Sequence, residues 1–150
     1  MTQGAVATRA ESLELIEVEV RALVRRIKRV IAGRAAEVHP ELQPASFLIL
    51  GWLAEHGPAR GSSLAGEFGI DKGAISRQVQ HLVELGLVIR SADPEDGRAM
   101  LLAASEEARV LLERAELDRR RAWGVKLADW SEEELRLFAA QLTRFNRDLD

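Results

Sequence analysis

The stretch Ser62–Leu87, SSLAGEFGIDKGAISRQVQHLVELGL, decides how this chain folds. A helix-turn-helix needs a short first helix, a tight turn, and a second helix whose inner face locks onto the first. Leu64 and Phe68 give a helix over Leu64–Phe68 one apolar side, with Ser62 or Ser63 as its N-cap. Gly69 breaks that helix, Ile70 fills the turn, and Asp71 is placed to cap a second helix over Lys72–Leu85. Ile75, Val79 and Leu82 recur on the inner stripe of the second helix, and Gly86 is a natural residue just past its end.

The opposite side of that second helix carries Lys72, Gly73, Ser76, Arg77, Gln80 and His81 toward solvent. These types suit a nucleic-acid groove. Arg pairs bidentately with guanine and Gln with adenine, whereas Ser and Lys hold phosphates. Gly73 costs about 1 kcal/mol against Ala in a helix. Its place in the first turn suits close approach of the backbone to a phosphate at the positive helix end.

Past Gly86 the period changes. Leu87–Ser91 and Arg98–Ala103 read as two short strands around the turn-forming run Ala92-Asp93-Pro94-Glu95-Asp96-Gly97, a two-stranded β wing. Arg98 stands just past the tip, where a guanidinium can enter a narrow minor groove. Asp96 is close enough in sequence to accept from Arg98 and fix its direction. Asp93, Glu95 and Asp96 repel phosphates unless they serve such a purpose.

The flanks are helical. In Ser12–Gly33, Leu13, Ile16, Val20, Leu23, Ile27 and Val30 step by three and four, and Gly33 and Pro40 punctuate the end. Pro44 opens a nearly all-apolar helix over Ala45–Glu55, closed by Gly57-Pro58. A further helix runs over Ser105–Leu127. After a break near Asp129, Ser131 and Glu134 form a capping-box pair, and Leu135, Phe138, Leu142, Phe145 and Leu149 again step by three and four. Two such seams at the two ends of one chain ask for a partner. Leu13, Ile16, Val20 and Leu23 with Leu135, Phe138, Leu142 and Phe145 are therefore read as dimerisation residues.

The expected fold is mainly α: a winged helix-turn-helix with long N- and C-terminal dimerisation helices and a two-stranded β wing. It fills one domain over residues 1–150, with 9–34 and 105–150 as dimerisation helices and 44–104 as the winged module. The 150-residue length and the 47% hydrophobic and 30% charged composition fit one soluble domain. The chain has no cysteine, which removes disulfides, thiolate metal sites and thiol chemistry.

Met1–Glu11 lacks a basic start followed by an apolar run, and no segment is long enough to span a bilayer. A cytoplasmic protein is expected. The net charge of −3 does not by itself favour a nucleic-acid partner, but a binding surface is a local field rather than a sum. The basic run Arg21, Arg25, Arg26, Lys28, Arg29 and Arg34 reads as a solvated or ion-paired face, with a contact to DNA backbone as the alternative. His39, His56 and His81 match no metal-ligand spacing, so neither metal nor cofactor is expected. No carboxylate pair, phosphate-binding glycine loop or nucleophilic triad stands out, so an enzyme is not expected.

With these residues in place, the chain resembles the multiple-antibiotic-resistance regulator (MarR) family along essentially its whole length. The closest stretches are LAGEFGIDKGAISRQVQHLVELGLVIR (Leu64–Arg90) and DPEDGRAMLLAAS (Asp93–Ser105). The family's wing pattern of Asp, any residue, Arg falls on Asp96, Gly97 and Arg98. Gly61 stands where the family often has Leu, and Ala104-Ser105 where it has Leu-Thr. The resemblance implies a homodimer on double-stranded DNA that represses from pseudo-palindromic operators and, in many members, is released by a small aromatic or anionic effector. It also implies that Phe47, Trp52 and His56 border the effector pocket.

Overall fold

The computed structural model describes residues 8–149, so the leader reading of residues 1–7 lies outside the described residues. The elements are α1 (Arg9–Val38), α2 (Pro44–His56), β1 (Ala59–Arg60), α3 (Gly61–Phe68), α4 (Lys72–Glu84), β2 (Val88–Ala92), β3 (Met100–Ala104), α5 (Glu106–Lys126) and α6 (Glu132–Asp148). By backbone proximity the chain forms two compact units, divided within α5 between Leu112 and Glu113.

The first unit holds the core. α2 is apolar nearly all round and buries Phe47, Ile49, Leu50 and Leu53; it packs on α4, which buries Ile75, Val79 and Leu82, and α4 packs in turn on α3, which buries Leu64. Leu87, Val88, Leu102 and Ala104 close it from the sheet. Burial of each large aliphatic side chain contributes about 1.5–3 kcal/mol.

α1 does not stop at Gly33 as expected but runs on to Val38. Ala35 and Val38 are buried, and with Leu42 they pack into the core, so tertiary burial outweighs the cost of one helical glycine. Thr8 and Glu11 form a capping box that sets its start.

α3 begins at Gly61, one turn earlier than the serines suggest. Arg60 takes the N-cap position, and neither Ser62 nor Ser63 caps the helix. Its end is as read: Gly69 sits at φ 61°, and Ile70 N–H bonds Ala65 O at 3.2 Å. That backbone bond closes the turn. The Ile70 side chain does not fill it and remains 38% exposed. Asp71 caps α4 as expected, its Oδ1 accepting from Ala74 N–H at 2.9 Å.

Gly86, at φ 72°, ends α4 in a Schellman motif. Its N–H bonds Val83 O at 3.0 Å, and Leu87 N–H bonds Leu82 O at 2.9 Å. The left-handed turn sends Leu87 back into the core, so the strand that follows lies beside the helix.

The sheet has three strands in the order β1-β3-β2, all antiparallel, where two were expected. Val88 pairs Ala104 and Ala92 pairs Met100, which moves the strands one or two residues from their sequence boundaries. β1 adds only Ala59 and Arg60, opposite Leu102 and Leu101. Two residues after a proline show no alternation that sequence reading could detect. Ser105 Oγ accepts from Ala108 N–H at 3.1 Å and caps α5, as a threonine there would.

In the second unit, Ser131 and Glu134 form the expected capping box at the start of α6. Trp130 meets Phe138 edge-on at 5.5 Å between centroids. Leu135, Phe138 and Leu142 are exposed within this unit.

Leu82, fully buried on α4, and Ile70, exposed in the turn, separate core from surface. Leu82→Ala is expected to lower unfolding free energy by about 2–5 kcal/mol, and Ile70→Ala by no more than about 0.5 kcal/mol. Urea denaturation of the two variants measures both.

Candidate nucleic-acid interface

Because Ile75, Val79 and Leu82 point into the core, the residues between them point out. Lys72, Gly73, Ser76, Arg77 and Gln80 are all exposed on one side of α4, as the sequence predicts. His81 is not among them. It is half-buried, and its Nε2 lies 2.9 Å from Glu41 O in the α1–α2 corner. Its ring ties α4 to the scaffold, an assignment that local sequence could not supply because the partner is 40 residues away.

Gly73 has a local reason to be glycine. A Cβ there would lie 3.0 Å from Asp71 Oδ1, the atom that caps α4, and 3.6 Å from Arg77 Nη1. The absent side chain keeps the cap undisturbed and leaves the first turn of α4 bare.

A second polar tie holds α4 from behind. Ser46, fully buried on α2, donates its hydroxyl to Gln78 Oε1. A buried hydroxyl left unpaired would cost about 1–3 kcal/mol, so this pair fixes α4 against α2 in register.

Between α4 and the sheet lies an open groove of about 410 Å³. Ile75, Val79, Met100 and Leu102 form its apolar part, while Gly61, Ser62, Lys72, Ser76 and Arg90 supply the polar part. Arg90 was missed by the sequence reading. It projects from β2, and its Nη2 donates to Gln80 Oε1 at 3.0 Å. Gln80 Nε2 in turn donates to Glu84 Oε1 at 2.9 Å.

The wing differs from expectation in how its acids are used. Asp96 accepts from the backbone N–H of Arg98 at 3.1 Å and does not hold the guanidinium; Arg98 itself is exposed. The tip is folded by backbone bonds from Ala99 N–H to Asp96 O at 2.8 Å and from Asp93 N–H to Ala99 O at 3.0 Å.

Arg60, also missed, is the cation that meets the acidic tip. Its Nε donates to Asp93 Oδ2 at 2.7 Å, and its Nη1 lies 3.8 Å from Asp96 Oδ2. Asp93 is buried and also accepts from Glu95 N–H at 2.9 Å. The Glu95 N–H, and after it the Arg60 guanidinium, hold the Asp93 carboxyl below the usual carboxylate range. So the repulsion expected of the wing acids is partly cancelled by a cation 33 residues upstream.

The proposed effector-pocket residues do not form one cluster of exposed groups. Phe47 is buried, with the Arg34 guanidinium 5.2 Å above its ring. Trp52 and His56 stack at 4.4 Å, and His56 Nδ1 lies 3.0 Å from Trp52 O. Of the basic run on α1, Arg21 pairs with Glu17 at 3.6 Å on the surface. Among the described residues, no group of three or more His, Cys, Asp or Glu side chains is placed to hold a metal ion.

Known proteins resemble this chain in sequence and in fold. The family model described as "MarR family" matches residues 41–99, from the α1–α2 corner through the wing tip. The helix-turn-helix-type transcriptional regulator YxaD of Bacillus subtilis is 33% identical over 135 residues, 90% of this chain and 93% of that protein. The crystal structure of RV1404 from Mycobacterium tuberculosis is 25% identical with a TM-score of 0.80, covering 95% of this chain and 97% of that one. The crystal structure of MarR, 22% identical with a TM-score of 0.69 over 89% of this chain and 96% of that one, shares the fold.

The Arg60–Asp93 pair makes a pH prediction. A carboxyl whose folded pKa is depressed contributes stability that is present above its unfolded value, about 3.9, and is lost as pH falls through the folded one. Asp93→Asn should therefore be less stable than wild type at pH 7, and the gap should close below about pH 4. Urea midpoints across pH 3–7 that ran parallel for the two proteins would contradict this.

Proposed function

Because the chain belongs to the MarR family of transcriptional regulators, we propose that it acts as a homodimer. In this reading it binds duplex DNA sequence-specifically at a pseudo-palindromic operator and represses transcription there. The observation that carries the reading is the two-sidedness of α4: one stripe is locked in the core, and Lys72, Ser76, Arg77 and Gln80 are exposed on the other. Arg77 and Gln80 read base edges in the major groove, and Ser76 and Lys72 hold the backbone. Arg98 enters the minor groove from the wing. His81 is left out of this surface because its ring is engaged with the scaffold.

Dimerisation is supported by large apolar side chains standing in solvent along two helices. Leu13, Ile16 and Leu23 of α1 are each about 45% exposed. Phe138 of α6 is 48% exposed. Val20 and Phe145, on the same stripes, are half-buried. Apolar rows at this spacing mark a helix partner rather than a solvated face. Two copies then present two α4 helices to half-sites about one helical turn apart, roughly 10 bp.

A small aromatic or anionic effector would act by preferring a spacing of those helices that the operator cannot match. Trp52 and His56 are the accessible members of the expected pocket, while Phe47 is buried. No helix among the described residues is long and apolar enough to cross a membrane. The proposal places the protein in the cytoplasm with its DNA.

The test is selection of bound fragments from a random duplex library, with wild type and Arg77→Ala in parallel. Wild type should enrich a two-fold-related site, and Arg77→Ala should bind it about 1–3 kcal/mol more weakly for each half-site and lose preference at one position in each. Lys72→Ala should weaken all duplexes alike and lower the salt slope by about 0.9 for each half-site. A folded dimer that enriches nothing would point instead to a winged helix that recruits protein partners. Separately, Phe138→Asp should turn the dimer into a monomer in sedimentation equilibrium, and an unchanged dimer would remove α6 from the interface.

A further inference from the structure

Glu84 is oddly placed. A carboxylate in the last turn of α4 opposes the negative end of the helix dipole and would face the phosphates of any bound duplex. Its partners give it a purpose. Arg90 Nη2 donates to Gln80 Oε1 at 3.0 Å, and Gln80 Nε2 donates to Glu84 Oε1 at 2.9 Å, so the amide is held at both ends.

The two partners differ in a way that matters. A guanidinium only donates and a carboxylate only accepts. The oxygen of Gln80 must therefore face Arg90 and its nitrogen Glu84. A flipped amide would set N–H against N–H and oxygen against carboxylate, replacing two hydrogen bonds by two repulsions.

We propose that Arg90 and Glu84 are positioning residues that lock the Gln80 amide in one orientation and so make it a reader of adenine. This rests on α4 being the DNA-reading helix. After both partners are served, Gln80 keeps one lone pair on Oε1 and one N–H on Nε2. The major-groove edge of adenine offers the matching pair, the N6 donor and the N7 acceptor. Guanine offers two acceptors, O6 and N7, and a locked amide meets one of them with its oxygen. A free glutamine can rotate to relieve that mismatch, whereas a clamped one cannot. The paired charges of Arg90 and Glu84 also leave the trio with no net attraction for phosphate.

The experiment uses the duplex enriched by the wild type and its single-base variants. Gln80→Ala identifies the operator position that Gln80 reads, and that position should be adenine. Wild type should prefer adenine over guanine there by about 5- to 150-fold. Arg90→Met, which keeps the apolar stem, should weaken the preference only in part, because Glu84 still holds one end of the amide, while leaving the salt slope unchanged. Glu84→Gln should likewise weaken it in part, because Arg90 still faces the oxygen, and the two changes together should bring it to within about threefold. In a Gln80→Ala background neither change should alter base preference further.

The proposal is overturned if Arg90→Met weakens all base variants equally and lowers the salt slope by about 0.9 for each half-site, the mark of a phosphate contact. It is overturned equally if base preference survives both changes. A Gln80→Ala protein with wild-type preference at every position would sink the proposal yet leave DNA binding by α4 standing. Failure of the wild type to enrich any duplex would sink both.

Discussion

Burial of one stripe of α4 is the constraint on which the rest depends. Ile75, Val79 and Leu82 are all essentially inaccessible. Burying the three contributes several kcal/mol, a large part of the net stability of a domain this size. A helix anchored by residues at steps of four and three cannot rotate about its own axis without exposing that stripe. The orientation of every outward side chain is thus a consequence of the core. Ser76, Arg77 and Gln80 do not need contacts of their own to face solvent.

Polar contacts then refine what the apolar ones set. Ser46 bonds Gln78, and His81 meets the Glu41 carbonyl. Both lie on the flanks of α4, and each ties it to residues 41–46 rather than to its neighbours in sequence. The wing is held in the same manner, by Arg60 at the start of α3 bonded to Asp93. In this way each of the two elements proposed to meet DNA is braced by a segment distant in sequence, and a change near the α1–α2 corner has a physical route to α4. Buried hydrogen-bonded partners of this kind are costly to separate, which favours discrete arrangements over gradual drift.

The fold was largely legible because its signals are local. Capping at Asp71 and Ser131, helix ends at Gly69 and Gly86, and the stripe on α4 are each written within a few residues. What escaped was whatever depends on distant partners. α1 outran Gly33 because Val38 packs in the core, and β1 exists only because Leu101 and Leu102 lie beside it. His81 looked like a surface residue until the Glu41 carbonyl was opposite it. Asp93 looked like a repulsive acid until Arg60 was bonded to it. Arg90 lay on a strand whose outward face gave no reason to select it, and only the folded chain brings it to Gln80. Similarly, Asp96 was correctly linked to Arg98, but the bond is to the backbone, because a two-residue separation in a tight turn brings the N–H nearer than the guanidinium.

The central claim is that the outward face of α4 enters the major groove of duplex DNA. Methylation protection at guanine N7 on an enriched duplex probes that groove directly, since N7 lies in the major groove and not the minor. Two protected tracts related by two-fold symmetry, about one helical turn apart, are expected. Tight binding with every guanine N7 in the site still reactive would contradict it.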